Sequence, residues 1–340
     1  APNNSSTTSS ESYRPKLLTQ ANLAYMKFHL NHTPKPTPFR LDHQTRFLLL
    51  GSCFSENIGQ RLERFRFQSL VNPNGVLFNP ASVCQCLESA LLNQEINGRF
   101  ILERAGRFYS YHHHTSLSSE SADALAEQLN SITSATHRFL KTADVLILSF
   151  GTAFAYTHRQ LGDTVANCHK QPAHVFDKYM LGIAEIEERY TRLITGLREL
   201  NPGLKIIFTV SPVKYLKDGI EENSLSKSTL LLSVRRLTEL HPDCFYFPAF
   251  ELVNDDLRDY RFYKEDLAHP NDQAIEYIWQ KFSDCYFGAA TRDLNQQILR
   301  LNQALAHRPS QAGSQEYQQW LDFIAHRKEE LKKLAPGLDF

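Results

Sequence analysis

Cysteine, methionine and tryptophan are scarce: six, two and two among 340 residues. Six scattered cysteines, with Cys53, Cys168 and Cys285 far from any other, do not make a disulfide scaffold and fit a reducing compartment. Net charge is missing too, since 37 Lys plus Arg balance 37 Asp plus Glu and no sustained basic block occurs. Nucleic acid and anionic membrane surfaces both require such a block, so neither is expected as a partner. The stretch 1–25 is rich in Ser, Thr, Asn and Pro and lacks the run of roughly 7–15 apolar residues that an export signal needs. It reads as a disordered or non-native extension, and a cytoplasmic location is expected. The chain also has no Gly-x-Ser-x-Gly, Gly-x-Gly-x-x-Gly, Gly-x-x-x-x-Gly-Lys or His-Glu-x-x-His, which removes the motif basis for an α/β-hydrolase elbow, a dinucleotide site, a P-loop or a zincin. No cofactor and no metal are expected.

Short apolar runs are present. Thr45–Gly51, Asp144–Phe150 and Lys205–Ser211 each close on Gly or next to Pro, as strands buried on both faces of a parallel sheet do. Phe67–Val71 and Cys244–Phe247 are weaker strands of the same kind. Amphipathic stretches at about 122–140, 181–200 and 224–240 alternate with them, and Ser55 is placed to cap a helix after the first strand. Strands alternating with helices imply an α/β fold with a parallel sheet covered on both faces. A helix is expected from Pro270 to about Phe287. Residues 291–340 follow as a helical tail, a hairpin with stripes Leu294, Ile298, Leu301, Leu305 and Trp320, Leu321, Ile324, Leu331, Leu334. It is expected to pack on the main domain, residues 26–290.

Ligands of open parallel sheets bind beyond the carboxyl ends of the strands. There Gly51-Ser52-Cys53-Phe54-Ser55 puts a serine between a strand and a helix N-terminus, whose free N–H groups suit a developing oxyanion. Serine needs a base. Asp266-Leu-Ala-His269 provides one pattern for it, a carboxylate three positions before an imidazole on a turn, holding one tautomer. The plain alternatives are that Ser52 only caps a helix and Asp266 only caps or bridges. Cys53 reads as a small buried hydrophobe. Ser224-Leu-Ser-Lys227 matches Ser-x-x-Lys but lacks its companion motifs, so helix capping by Ser224 or Ser226 is expected.

Gly-Ser after the first strand and Asp-x-x-His near the end of the sheet resemble the SGNH (GDSL-like) hydrolases. Leu50-Gly-Ser-Cys-Phe-Ser-Glu-Asn-Ile-Gly59 further resembles the GSCFA family within them, as do Asn72–Pro80, Phe150–Tyr156, Ala166–Lys170, Val210–Val213 and Tyr260–Tyr263. The resemblance implies a flavodoxin-like three-layer α/β/α sandwich of about five parallel strands. It implies a serine esterase or acyl hydrolase, with Ser52 as nucleophile, His269 as base and acid, and Asp266 orienting it. The N–H groups of Ser52 and Gly75 would form the oxyanion hole. Gly151-Thr152-Ala153 carries alanine where the superfamily usually has an asparagine, so Asn167 or Thr152 would stand in for that donor. The implied substrate is a small or carbohydrate-linked ester, O-acetyl by habit of the superfamily. An acyltransferase using the same triad and a catalytically silent binding protein are the alternatives.

Arg107-Phe-Tyr-Ser-Tyr-His-His-His114 holds three adjacent histidines, but strand neighbours face opposite ways and no Cys or carboxylate stands at ligand spacing. It reads as a partly exposed strand, or as a loop in which His114 lines a substrate cleft. His169 and Lys170, beside Asn167, are placed for a phosphate or carboxylate, with ordinary loop hydrogen bonding as the alternative.

Overall fold

The computed structural model describes residues 29–307, 309–311 and 313–338, so the proposed extension 1–25 lies outside the described residues. Five strands form the central sheet: β1 (Arg46–Gly51), β2 (Gln68–Val71), β5 (Val145–Phe150), β9 (Lys205–Val210) and β10 (Cys244–Tyr246). They lie in the order β10-β9-β5-β1-β2 and every pairing is parallel. Counting sheet strands along the chain, this is 2-1-3-4-5, the doubly wound flavodoxin-like order.

Side chains alternate across that sheet. Leu48, Leu50, Leu146, Leu148 and Phe208 pack on one face under α2 (Pro80–Leu91), α4 (Ile183–Leu200) and α5 (Ile220–Leu240). Phe47, Leu49, Val145, Ile147 and Ile207 pack on the other under α1 (Cys53–Arg64) and α6 (Asp272–Tyr286). Both faces are dry, so the strands read as continuous apolar runs. The tail forms α7 (Ala289–Ala306) and α8 (Gln315–Leu334), and Ile298, Leu301, Ile324 and Leu331 join the core of the α1/α6 face.

Two antiparallel additions carry residues of interest, and of their strands only the one within Arg107–His114 is expected from the sequence, as a partly exposed strand. The strands β3 (Ile101–Arg104) and β4 (Arg107–Ser110) form a hairpin, connected through α3 (Ala122–Leu140) to the sheet. The strands β6 (Phe154–His158), β7 (Asp163–Val165) and β8 (Phe176–Met180) form a separate small sheet. Helix starts also shift. The first helix is capped by Ser52, not Ser55, because the Ser52 Oγ accepts the Phe54 N–H at 3.2 Å. The fifth begins at Ile220, so neither Ser224 nor Ser226 caps it. Ser224 instead donates back to the Ile220 carbonyl at 2.9 Å.

Candidate active site

The chain reverses direction across the sheet between β1 and β5, and the crevice at such a switch point is where this fold takes ligands. Ser52 stands there. Its N–H continues the ladder to the Ser149 carbonyl at 3.0 Å, and Gly151 lies against it across the gap. Asn72, at the end of β2, accepts the Gly51 N–H on its Oδ1 at 2.9 Å. The segment after it returns over the rim, with Leu77 donating to the Gly51 carbonyl and the Phe78 carbonyl accepting from Gly151 and Thr152. Ser52 is consequently only 2% exposed.

Asp266 and His269 form a pair at the same rim. The backbone N–H of His269, then that of Ala268, then the His269 ring all donate to the Asp266 carboxylate and, outweighing desolvation, hold it down at about 2. An ionised carboxylate only accepts, so His269 donates through Nδ1, at 2.6 Å, and Nε2 is the nitrogen turned away from the pair. No group among the described residues bonds that nitrogen. Pro270, next to His269, lines one small cavity with Phe54 and Asn57 from the first turns of α1, the helix that Ser52 starts. His269 and Ser52 do not share a hydrogen bond: the Ser52 Oγ instead meets the Ser149 Oγ at 2.6 Å. Ser149 was not picked out by sequence; its only signal is a hydroxyl inside the otherwise apolar run Val145–Phe150.

The N–H groups of Ser52, Gly75 and Thr152 all have acceptors inside the protein, Gly75 donating to Asn72 at 2.7 Å. The Thr152 hydroxyl is taken up between Ser226 and the Phe154 N–H. Besides the Asn72 Nδ2, which is buried without a partner, two donors have no acceptor among the described residues. Cys53, first residue of its helix, has no carbonyl one turn back for its N–H, and the Asn167 Nδ2 has no acceptor among the described residues. Asn167 uses its Oδ1 to accept the His169 N–H at 2.8 Å. Cys53 is half-buried rather than buried, and desolvation followed by the Glu56 charge pushes its thiol up, so it stays protonated.

The loop 166–170 and the segment 111–116 pack together above Gly75. A methyl group on Gly75 would sit 2.3 Å from the His114 Cβ. His114 is half-buried with Nδ1 on Ser116, and Lys170 is exposed. His169 departs from the expected ligand role: it is 1% exposed, and its ring bonds the Ser110 carbonyl at 2.8 Å and faces Thr115. Its backbone φ of 47° and that of Lys170, 56°, mark a strained turn that the ring anchors. Among the described residues no group of three His, Cys, Asp or Glu is placed to hold a metal. None of their helices is long and apolar enough to cross a membrane.

His113 is buried and His112 half-buried, and desolvation lowers them to about 3 and about 4. In the unfolded chain both take up a proton near pH 6.5, well before the folded state does. Stability must fall as pH drops from 6.5 toward 4, by about 1.4 kcal/mol per pH unit for each histidine. Thermal unfolding of the wild type is expected to show this acid limb, and His113→Gln to flatten it. An identical slope in both proteins would remove His113 as its source.

The sequence matches the GSCFA family over residues 46–282 and, over 298–340, the C-terminal domain of GSCFA domain proteins. The chain belongs to the GSCFA family. No curated protein matches this GSCFA sequence. Among solved structures, a carbohydrate esterase family 3 protein from Talaromyces cellulolyticus is 9% identical, with TM-score 0.33, covering 76% of this chain and 99% of that one. An acetyl xylan esterase from the rumen bacterium Butyrivibrio proteoclasticus is 11% identical, with TM-score 0.36, covering 71% and 63%. Likeness at that level carries no argument about the reaction of the GSCFA protein.

Proposed function

We propose that this GSCFA protein hydrolyses an ester through Ser52, His269 and Asp266. The observation that carries the reading is the Asp266–His269 pair, in which Nδ1 is held by the carboxylate and Nε2 has no partner among the described residues. In the reaction Ser52 leaves Ser149 and passes its proton to Nε2 as its Oγ bonds the carbonyl carbon. The oxyanion is met by the Cys53 N–H and the Asn167 Nδ2, which need give up no existing partner. His269 then protonates the departing alcohol, and water resolves the acyl-enzyme by the same route. A small or carbohydrate-linked ester, such as an O-acetyl group, is the substrate class; passing the acyl group to a sugar hydroxyl in place of water would use the same residues.

A second reading, a silent member that only binds ligand at this rim, is favoured by the Ser52–Ser149 bond and the low exposure of Ser52. Turnover of p-nitrophenyl acetate and labelling by a fluorophosphonate separate the two. The expected result is turnover, phosphonylation of Ser52, and a loss of about 10³–10⁴-fold in kcat for Asp266→Asn, which upsets the tautomer. A folded protein that neither turns over nor labels would leave the silent reading standing.

A further inference from the structure

Lys227 stands in α5, 2% exposed, with no part in the proposed reaction. Its ammonium donates to the carbonyls of Gly151 at 2.5 Å and Ser211 at 2.6 Å, at the carboxyl ends of β5 and β9. An ammonium has three donors, and the third has no acceptor among the described residues. Nor does any carboxylate there pair with this charge. An uncompensated buried charge is expensive, and desolvation alone lowers Lys227 to about 7.

The same residue is in the wall of a cavity of about 420 Å³ between α5 and the segment carrying Asp266 and His269. That size suits a small organic ligand. Two lysines, 214 and 227, line it, and no acidic residue does. Its other lining includes Leu216, Ile220, Tyr260 and Leu267, which are 39%, 66%, 60% and 50% exposed. Single exposed apolar residues are ordinary, but here four share one cavity wall with Lys214 and Lys227, the Lys214 ammonium lying over the Tyr260 ring at 4.5 Å. Leu267 is moreover held at φ 56°, a conformation unfavourable for leucine, while the Lys214 ammonium reaches its carbonyl at 3.3 Å.

We propose that this cavity binds an aliphatic carboxylate, the chain lying against Leu216, Ile220 and Leu267 and the carboxylate toward Lys227 and Lys214. Apolar walls take the chain out of water, and the anion neutralises a cation that the protein leaves unpaired. Binding of a free carboxylate there is read without turnover, so its test does not depend on the reading of Ser52.

Isothermal titration of the full chain with sodium octanoate, sodium butyrate and octan-1-ol tests it. Octanoate is expected to bind, with butyrate roughly 100-fold weaker for its four missing methylenes. Octan-1-ol, lacking the charge, is expected to bind at least about 10-fold more weakly. Lys227→Met and Ile220→Asp are each expected to weaken octanoate by about 10-fold or more. Should Lys227→Met fail to fold, Ile220→Asp decides, since its side chain is already at the surface. No octanoate binding by the wild type, equal binding of octan-1-ol, or unchanged affinity in Ile220→Asp would each overturn the proposal. Absence of p-nitrophenyl acetate turnover would bear only on the reading of Ser52.

Discussion

Ser52→Ala is expected to lower p-nitrophenyl acetate turnover by about 10⁴- to 10⁶-fold and to abolish fluorophosphonate labelling. The loss is large because the proposed reaction forms a bond to the Ser52 Oγ itself, and no neighbouring group is fit to replace it. Ser149 is closest, at 2.6 Å, but lies inside the strand with no exposure. The Cys53 thiol is kept protonated by desolvation. The change also removes a cap and leaves the buried Ser149 hydroxyl without that partner, which together cost about 1–3 kcal/mol of stability. Circular dichroism must therefore accompany the assay. Ser149→Ala is the informative companion: the nucleophile stays, one restraint on it goes, and turnover persists. Equal rates for wild type and a folded Ser52→Ala protein would remove Ser52 from the mechanism.

Gly51→Ala is expected to destabilise the fold by more than about 4 kcal/mol, leaving little soluble protein. Gly51 has φ of 130°, and an added Cβ would lie 2.0 Å from the Ser149 carbonyl oxygen. The obstructing atom is backbone in β5, which is paired on one side with β1 and on the other with β9. It has nowhere to go. Gly51 is also tied at both ends, its N–H to Asn72 and its carbonyl to the Leu77 N–H, so rotating away from the clash breaks the support of Ser52. Gly98→Ala is the control, since nothing lies within 4 Å of its added methyl. Urea denaturation of the two variants checks the contrast. A Gly51→Ala protein within about 1 kcal/mol of wild type would show that the sheet can yield there.

The residues that announced themselves in the sequence are those whose surroundings are local. The three central strands were legible because both faces of a parallel sheet are dry, which turns each strand into an unbroken apolar run. Asp266 and His269 were legible as a pair because three residues of turn suffice to bring them together, and the N–H groups that hold Asp266 ionised belong to the same turn. Gly51-Ser52 was legible as the junction of strand and helix, although the helix begins three residues earlier than the capping pattern at Ser55 indicates. Of the hairpin only β4 was legible, as the partly exposed strand read at Arg107–His114; its partner β3 and the sheet β6–β7–β8 were not, because strands of three to five residues carry too few positions for a period to emerge. Tertiary structure alone decided the partner of Ser52, which is Ser149 from a strand 97 positions away. It likewise turned His169 inward onto Ser110, 59 positions distant. It also made Lys227 a buried cation with carbonyl partners from two other strands, where its Ser-x-x-Lys setting had indicated only a helix start. Sequence patterns record which face of an element is dry and which residues share a turn. Which hydroxyl meets which, and whether a charge finds its counterion, depends on crossings of the chain that leave no periodic trace.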